Sequence, residues 1–306
     1  MIVITGADGR LGQAIIQKLD QSNTPYRGLC RKNTPKLTTV DYSDRAQLVA
    51  AFKGATHIFH LAGGIRGSGQ NTPDVINHQL TKLISKAAAQ LPTPPTLLMI
   101  SSTAVYGDRS NLWVDEDMKP TPSSRYGHSK LAAEKACIES GLPTQIIRMG
   151  TLYGSGVPFL MIKGLQKKDK WLPGEGRNYI PMIHLDDAAA GILHIANSLP
   201  AGEIVHLADE SPMLLQEFYS QVVEKGNLSF RVRFWSTWVP SYIQRYLAKN
   251  NERLQSRLGK YPVWTPDFLS LYTSSVRVQT TKLREELGFQ CQYPTATEGL
   301  DSIFRP

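Results

Sequence analysis

Residues 1–19 read MIVITGADGRLGQAIIQKL, and the reading of the whole chain starts from them. Ile2, Val3 and Ile4 make a short apolar strand. Gly6, Gly9 and Gly12 follow at intervals of three, and Leu11, Ile15, Ile16 and Leu19 then recur at helical period. The order is strand, tight glycine turn, helix. Gly6 permits the turn, Gly9 lets the backbone approach a pyrophosphate, and Gly12 allows close helix packing, while the first N–H groups of the helix are left for an anion. A strand that begins almost at residue 1 predicts a fold with no leader ahead of it.

The second strand, from about Tyr26 to Cys30, indicates which nucleotide. A dinucleotide site for NAD wants an acidic residue at this strand end to hold the ribose 2′-hydroxyl, and Arg31 and Lys32 stand there instead. Two cations pair with a 2′-phosphate and gain little from a free ribose, so NADP(H) is favoured over NAD(H). Arg10, inside the glycine loop, reinforces the same charge.

Strand and helix keep alternating downstream. Thr38 to Val40 is a short strand ending at Asp41, DRAQLVAAFKG (44–54) a helix, and THIFHLAGGI (56–65) an apolar strand running into glycines. A helix from about Val75 to Gln90 leads to the buried strand TLLMISS (96–102). Continuous apolar strands between helices of ten to fifteen residues predict an α/β fold: a doubly wound parallel sheet of Rossmann type with right-handed crossovers. Ligands of such sheets bind at the carboxyl ends of strands. Ser101, Ser102 and Thr103 fall at one of these ends. SSRYGHSKLAAEKACIES (123–140) then sets Tyr126 and Lys130 four apart at a helix start, on one face. An ammonium beside a phenol stabilises phenolate and brings its pKa toward a value useful for proton transfer.

These motifs together resemble the extended short-chain dehydrogenases/reductases. The loop TGADGRLG (5–12) matches that family's TGxxGxxG. The resemblance implies a catalytic set of Ser102, Tyr126 and Lys130, with Ser102 preferred to Thr103 because the family's hydroxyl stands three residues before the valine of Val-Tyr-Gly, here Val105. It implies cofactor contacts from Gly6, Gly9, Arg10, Leu11, Gly12, Arg31, Lys32, Asp41, Tyr42, Leu61, Ala62, Gly63, Ser101 and Met149, besides Tyr126 and Lys130. Thr103, Gly64, Tyr153, Arg177, Asn178 and Tyr179 become candidate substrate contacts, and Asn77 a structural polar residue. RMGTLYGSG (148–156), MIHLDDAAAGI (182–192) and TTKLREELGF (280–289) extend the likeness over nearly the whole chain. No acidic residue follows the catalytic hydroxyl, which argues against a dehydratase. What remains is an NADP(H)-dependent oxidoreductase interconverting carbonyl and alcohol, or a nucleotide-sugar epimerase that retains its cofactor. A cofactor-binding regulatory protein is the lesser alternative, since the catalytic set is intact.

The 306 residues carry 34 Lys+Arg against 26 Asp+Glu, a formal charge of +8, with 41% hydrophobic and 20% charged residues. That balance is globular and excludes disorder, collagen and coiled coil. Three distant cysteines make neither a disulfide scaffold nor a metal cluster and point to a reducing, cytoplasmic setting. The seven histidines show no metal spacing, and no apolar run is long enough for a membrane span. The basic surplus carries no nucleic-acid reader motif.

Residues 1–156 and 183–209 are expected to form the dinucleotide domain, with 157–182 and 210–306 building a smaller α/β substrate lobe. There Trp235, Trp238, Val239, Tyr242, Ile243, Tyr246 and Leu247 recur at near-helical spacing beside Arg245, Lys249, Arg253, Arg257 and Lys260. Three readings stay open: a lobe helix packed on the sheet, a cap over an apolar pocket, or a surface helix on an anionic membrane. The stretch is similar to the sterol-dehydrogenase and dihydroflavonol-reductase branch, which implies a small, rather apolar substrate. The resemblance also implies a monomer, or a homodimer paired through the helices near 75–90 and 131–139.

Overall fold

A computed structural model describes residues 1–64, 72–110, 112–155, 170–229, 232–235, 241–257 and 265–304. Seven strands form one parallel sheet: β1 (Ile2–Thr5), β2 (Tyr26–Cys30), β3 (Thr38–Thr39), β4 (His57–His60), β5 (Thr96–Ser102), β7 (Thr144–Met149) and β12 (Ile204–Leu207), with β6 (Trp113–Val114), β8 (Thr151–Tyr153) and β11 (Met182–His184) outside it. Their order is β12-β7-β5-β4-β1-β2-β3. The strands are apolar along their length because helices cover both faces. On one face α1 (Arg10–Gln21) and α5 (Leu185–Ser198) bring Ile15, Leu19, Ile192 and Ile195 against Ile4, Leu98 and Ile147. On the other, α2 (Arg45–Phe52), α3 (Leu80–Ala88) and α4 (Arg125–Ile138) pack Leu48, Phe52, Ile84 and Ala133 against Val3, Leu29 and Leu97. A π-helical turn, Asp74–Gln79, leads directly into α3.

A second core holds the lobe together. Leu172, Ile180, Leu215, Phe218, Tyr219, Val222, Tyr272 and Leu300 bury one another there. It is built from β9 (Lys170–Pro173) paired with β14 (Val232–Trp235), β10 (Tyr179–Ile180) paired with β13 (Met213–Leu214), and the helices α6 (Leu215–Lys225), α8 (Pro266–Thr273) and α9 (Ala296–Phe304), with α7 (Ser241–Arg257) lying against α8. The cores divide the chain differently from the sequence boundaries. Tyr153 belongs to the lobe core, while Leu283 and Phe289 pack in the main core beside α1 and α5. Asp187 of α5 fixes that return, its two carboxylate oxygens accepting the backbone N–H groups of Gln292 and Tyr293 at 2.7 and 2.9 Å.

The aromatic stripe also reads differently. Trp235 ends strand β14, the helix begins at Ser241, and Trp238, Val239 and Lys260 lie outside the described residues. Among the described residues no helix is long and apolar enough to cross a membrane.

Candidate active site

From β1 the chain winds outward through β2 and β3, then crosses back to lay down β4, β5, β7 and β12 on the other side. The crevice between the carboxyl ends of β1 and β4 is therefore the switch point of the sheet. Gly6 turns there with φ +70°, and a Cβ on it would lie 2.8 Å from the Ala62 nitrogen. One on Gly12 would lie 2.7 Å from the Gly6 carbonyl oxygen. Gly9 caps α1 and offers no side chain, so the first-turn amides of Arg10, Leu11 and Gly12 are left for an anion.

Tyr42 does something the sequence reading did not anticipate. Its hydroxyl accepts the Gly6 N–H at 3.0 Å and donates to the Leu29 carbonyl at 3.0 Å, and burial pushes the phenol up to about 12. It is a strut that pins the glycine loop to β2. Asp41 is likewise engaged locally, accepting from the Ser43 N–H and hydroxyl at 2.9 and 2.7 Å, which holds its carboxyl below the usual range. Arg31 and Lys32 stand exposed just beyond β2.

After β4 the backbone runs through half-buried Leu61 and Ala62 to Gly63 and Gly64. Asn77 reaches over from the π-helical turn and exchanges two hydrogen bonds with Gly64, N–H to Oδ1 at 3.0 Å and Nδ2 to the carbonyl at 2.9 Å. Its Nδ2 also donates to Ser129 of α4 at 2.9 Å. A Cβ on Gly63 would sit 2.7 Å from Asn77 Oδ1 and 3.2 Å from Lys130 Nζ, so glycine keeps open the ground in front of the ammonium. Beneath this loop the Thr81 hydroxyl donates to the Asn77 carbonyl at 2.6 Å and so must accept from His60 Nε2 at 2.8 Å. That leaves His60 Nδ1 to accept from Thr5 at 2.9 Å, a neutral ring whose pKa burial pushes down to about 3.

The reacting groups meet opposite. Ser102 ends β5 and caps the 3-10 turn Thr103–Tyr106, accepting the Ala104 N–H at 3.2 Å. The Tyr126 phenol stands beside that hydroxyl at the start of α4, where Ser124 caps the helix by accepting from Gly127 at 3.0 Å. Met149 lies in register with Ser102 on the neighbouring strand. Lys130, one turn along α4 and buried, donates to the Ile100 carbonyl at 2.9 Å and stands 6.0 Å from the centre of the Tyr126 ring. Burial pushes this ammonium down to about 8, with Cys137 and Glu134 holding it partly up. The sequence reading expected Lys130 to lower the Tyr126 pKa. In the structure burial pushes the half-buried phenol upward instead, and the Ser102 hydrogen bond offsets only part of that.

Helix α4 meets the 3-10 turn through Gly127, where a Cβ would come 2.5 Å from the Ala104 carbonyl oxygen. Gly127→Ala therefore has to push Tyr126 away from Ser102. The expected outcome is a fall in turnover of about 10- to 100-fold with the fold retained, checked by steady-state kinetics beside a thermal melt.

Several expected contacts turn away from the opening. The Ser101 hydroxyl points to the other side of its strand and donates to Glu134, buried on α4 four residues beyond Lys130. Arg148 grips the same carboxylate with Nε at 3.1 Å and a second guanidinium nitrogen at 2.9 Å. Its third nitrogen donates to Tyr106 at 2.7 Å, and Tyr106 meets His206 Nε2 at 2.7 Å. Sequence reasoning missed this network, although an arginine within a buried apolar strand was the signal, since it must find an anion. Tyr153 is buried in the lobe core, its hydroxyl donating to Asp209 at 3.1 Å. Asn178 donates to the Ser274 carbonyl at 3.0 Å, and the Tyr179 ring packs under the Arg277 guanidinium at 5.1 Å. Thr103 is buried next to Ser102, and Arg177 is exposed.

The chain is 24% identical to a 3beta-hydroxysteroid-dehydrogenase/decarboxylase of Arabidopsis thaliana over 86% of its own length, spanning 65% of that protein. It is also 24% identical to a farnesyl-dihydroquinoline-oxide ketoreductase of Stigmatella aurantiaca, over 98% of this chain and 94% of that one. Among solved structures, MoeE5 in complex with UDP-glucuronic acid and NAD superposes with TM-score 0.78 at 21% identity, over 99% of this chain and 97% of that one. The human epimerase family protein SDR39U1 with NADPH superposes with TM-score 0.77 at 17% identity, over 99% and 98%. These likenesses establish the fold. The profile described as the NAD dependent epimerase/dehydratase family matches residues 2–208. The chain thus belongs to that family and is an NAD(P)-dependent oxidoreductase or epimerase of the extended short-chain dehydrogenase/reductase type.

Proposed function

We propose that the protein is an NADP(H)-dependent oxidoreductase that interconverts a carbonyl and an alcohol on a small, largely apolar molecule, with Tyr126 as the proton donor and acceptor. The observation that carries this is the grouping of Ser102 with Tyr126 and of Tyr126 with Lys130, whose ammonium stands next to Gly63. The chain's own residues fit a nicotinamide dinucleotide. Gly6 lets the glycine loop close on the backbone at Ala62, Gly63 puts no side chain in front of the Lys130 ammonium, the first turn of α1 offers free amides, and Arg31 and Lys32 offer positive charge at the β2 end. Such a cofactor supplies or accepts hydride when bound.

The protein's part is the proton and the orientation. Ser102 donates a hydrogen bond to the substrate oxygen, and Tyr126 gives that oxygen its proton. In the reducing direction the phenol must begin protonated, and burial holds it so. Lys130 places a positive charge beneath the phenol as its proton leaves, and it faces the ground that a nicotinamide ribose would occupy. The apolar substrate class is supported by the two relatives named for a steroid and for a farnesyl-bearing ketone.

The experiment compares NADPH with NADH turnover on a panel of apolar ketones and aldehydes and on nucleotide sugars, after identifying any nucleotide that copurifies. Turnover of apolar carbonyls with NADPH is the expected result. Tightly held NAD with interconversion of sugar isomers would instead establish an epimerase, a reading favoured by the structural likeness to MoeE5. Replacing Arg31 and Lys32 together by alanine is expected to raise KM for NADPH by about 10- to 100-fold and leave KM for NADH nearly unchanged. Equal effects on both cofactors would remove the 2′-phosphate assignment.

A further inference from the structure

Helix α7 (Ser241–Arg257) presents its apolar side to solvent. Tyr246, Leu247 and Leu254 are 65%, 52% and 56% exposed, while Ala248 on the opposite side is buried. At 100° per residue Ile243, Leu247, Asn250 and Leu254 fall within about 60° of arc, and Tyr246 borders them. Beyond Tyr246, on that same edge, come Arg253 and Lys249, both exposed. The helix is therefore amphipathic in the outward sense, an apolar strip with cations along one border.

We propose that α7 rests the lobe on an anionic phospholipid bilayer, with Leu247, Leu254 and Tyr246 at the headgroup boundary and Lys249 and Arg253 on the lipid phosphates. The charge and the middle of the strip choose this occupant. A second copy docked by two-fold symmetry would bring the same cationic border near itself. A dry protein groove would bury Asn250, which is exposed at the centre of the strip, and leave its carboxamide without water. The headgroup boundary keeps Asn250 hydrated, suits a tyrosine at its edge, and supplies anions of the sign that the basic border attracts. The formal charge of +8 adds long-range attraction to the same surface. The contact would also bring the lobe to where an apolar substrate is dissolved, and to that extent it deepens the proposed function.

The test needs no substrate, so its outcome is independent of the catalytic reading. The full chain is sedimented with phosphatidylcholine vesicles and with vesicles in which a third of the lipid is phosphatidylglycerol. Binding to the anionic vesicles alone, weakened by high salt, is expected. Lys249→Glu with Arg253→Glu is expected to weaken it by about tenfold or more, and Leu247→Ser with Leu254→Ser to a similar degree. Circular dichroism and the melting temperature should stay unchanged in both pairs, because the side chains are exposed. Absence of binding to anionic vesicles overturns the proposal, as does binding that neither pair alters. A concentration-dependent dimer abolished by the leucine pair would also overturn it, by assigning the strip to a second copy of the chain.

Discussion

Tyr126→Phe is expected to reduce turnover by about 10²- to 10⁴-fold while nucleotide binding, followed by fluorescence titration, changes little. Phenylalanine keeps the ring in its place at the head of α4 and removes only the phenol oxygen beside Ser102. The ground-state packing survives, so the loss should fall on kcat more than on KM. Ser102→Ala should lose less, because it removes a hydrogen bond to the substrate oxygen and leaves the proton donor in place. If Tyr126→Phe retained full activity, the proton would have to come from another group, and no step assigned to Ser102 or Lys130 would stand.

Breaking the buried pair of Glu134 and Arg148 is expected to cost stability on the order of 3–5 kcal/mol in Glu134→Leu, read by urea unfolding. The Arg148 guanidinium is only about 4% exposed in its side chain and would keep its charge with its carboxylate gone. The double variant Glu134→Leu with Arg148→Met should be more stable than Glu134→Leu alone, because it removes the stranded charge. Additive losses in the cycle would show that the two side chains act separately. Catalysis should suffer as well. Glu134 ties Ser101, the neighbour of Ser102, to the helix that carries Tyr126 and Lys130, so the link sets how two parts of the site face each other. Ser101→Ala, which cuts this tie and spares the ion pair, is expected to lower kcat with little change in the melting temperature.

What could be read from the sequence was what lies close in sequence. The β1 strand, the glycine turn and the first turns of α1 occupy a single run of residues, and local spacing alone orders them. Tyr126 and Lys130 share a helix face for the same reason. The Ser101 hydroxyl's bond to Glu134 was not legible, because the side to which a strand-end side chain turns depends on its neighbours in space, and its partner stands 33 residues away. The partners of Tyr153 and Tyr42 were hidden alike, since the hydroxyls of these amphipathic rings reach acceptors distant in sequence, Asp209 and Leu29. On α7, helical periodicity located an apolar strip but carried no information on which side the core lies. Only the packing of Ala248 inward decides that.

The return of Leu283 and Phe289 to the main core, latched by Asp187, bears on how the protein is made. The nucleotide-binding half is not finished when its own strands have left the ribosome, since part of its interior arrives with the last few dozen residues of this chain. Until then the flank of α1 and α5 is uncovered, and the nascent chain has an apolar surface for chaperones to shield. The main core is therefore expected to be completed only when residues 283–293 have docked, and neither half is expected to be inherited or exchanged as a separate module.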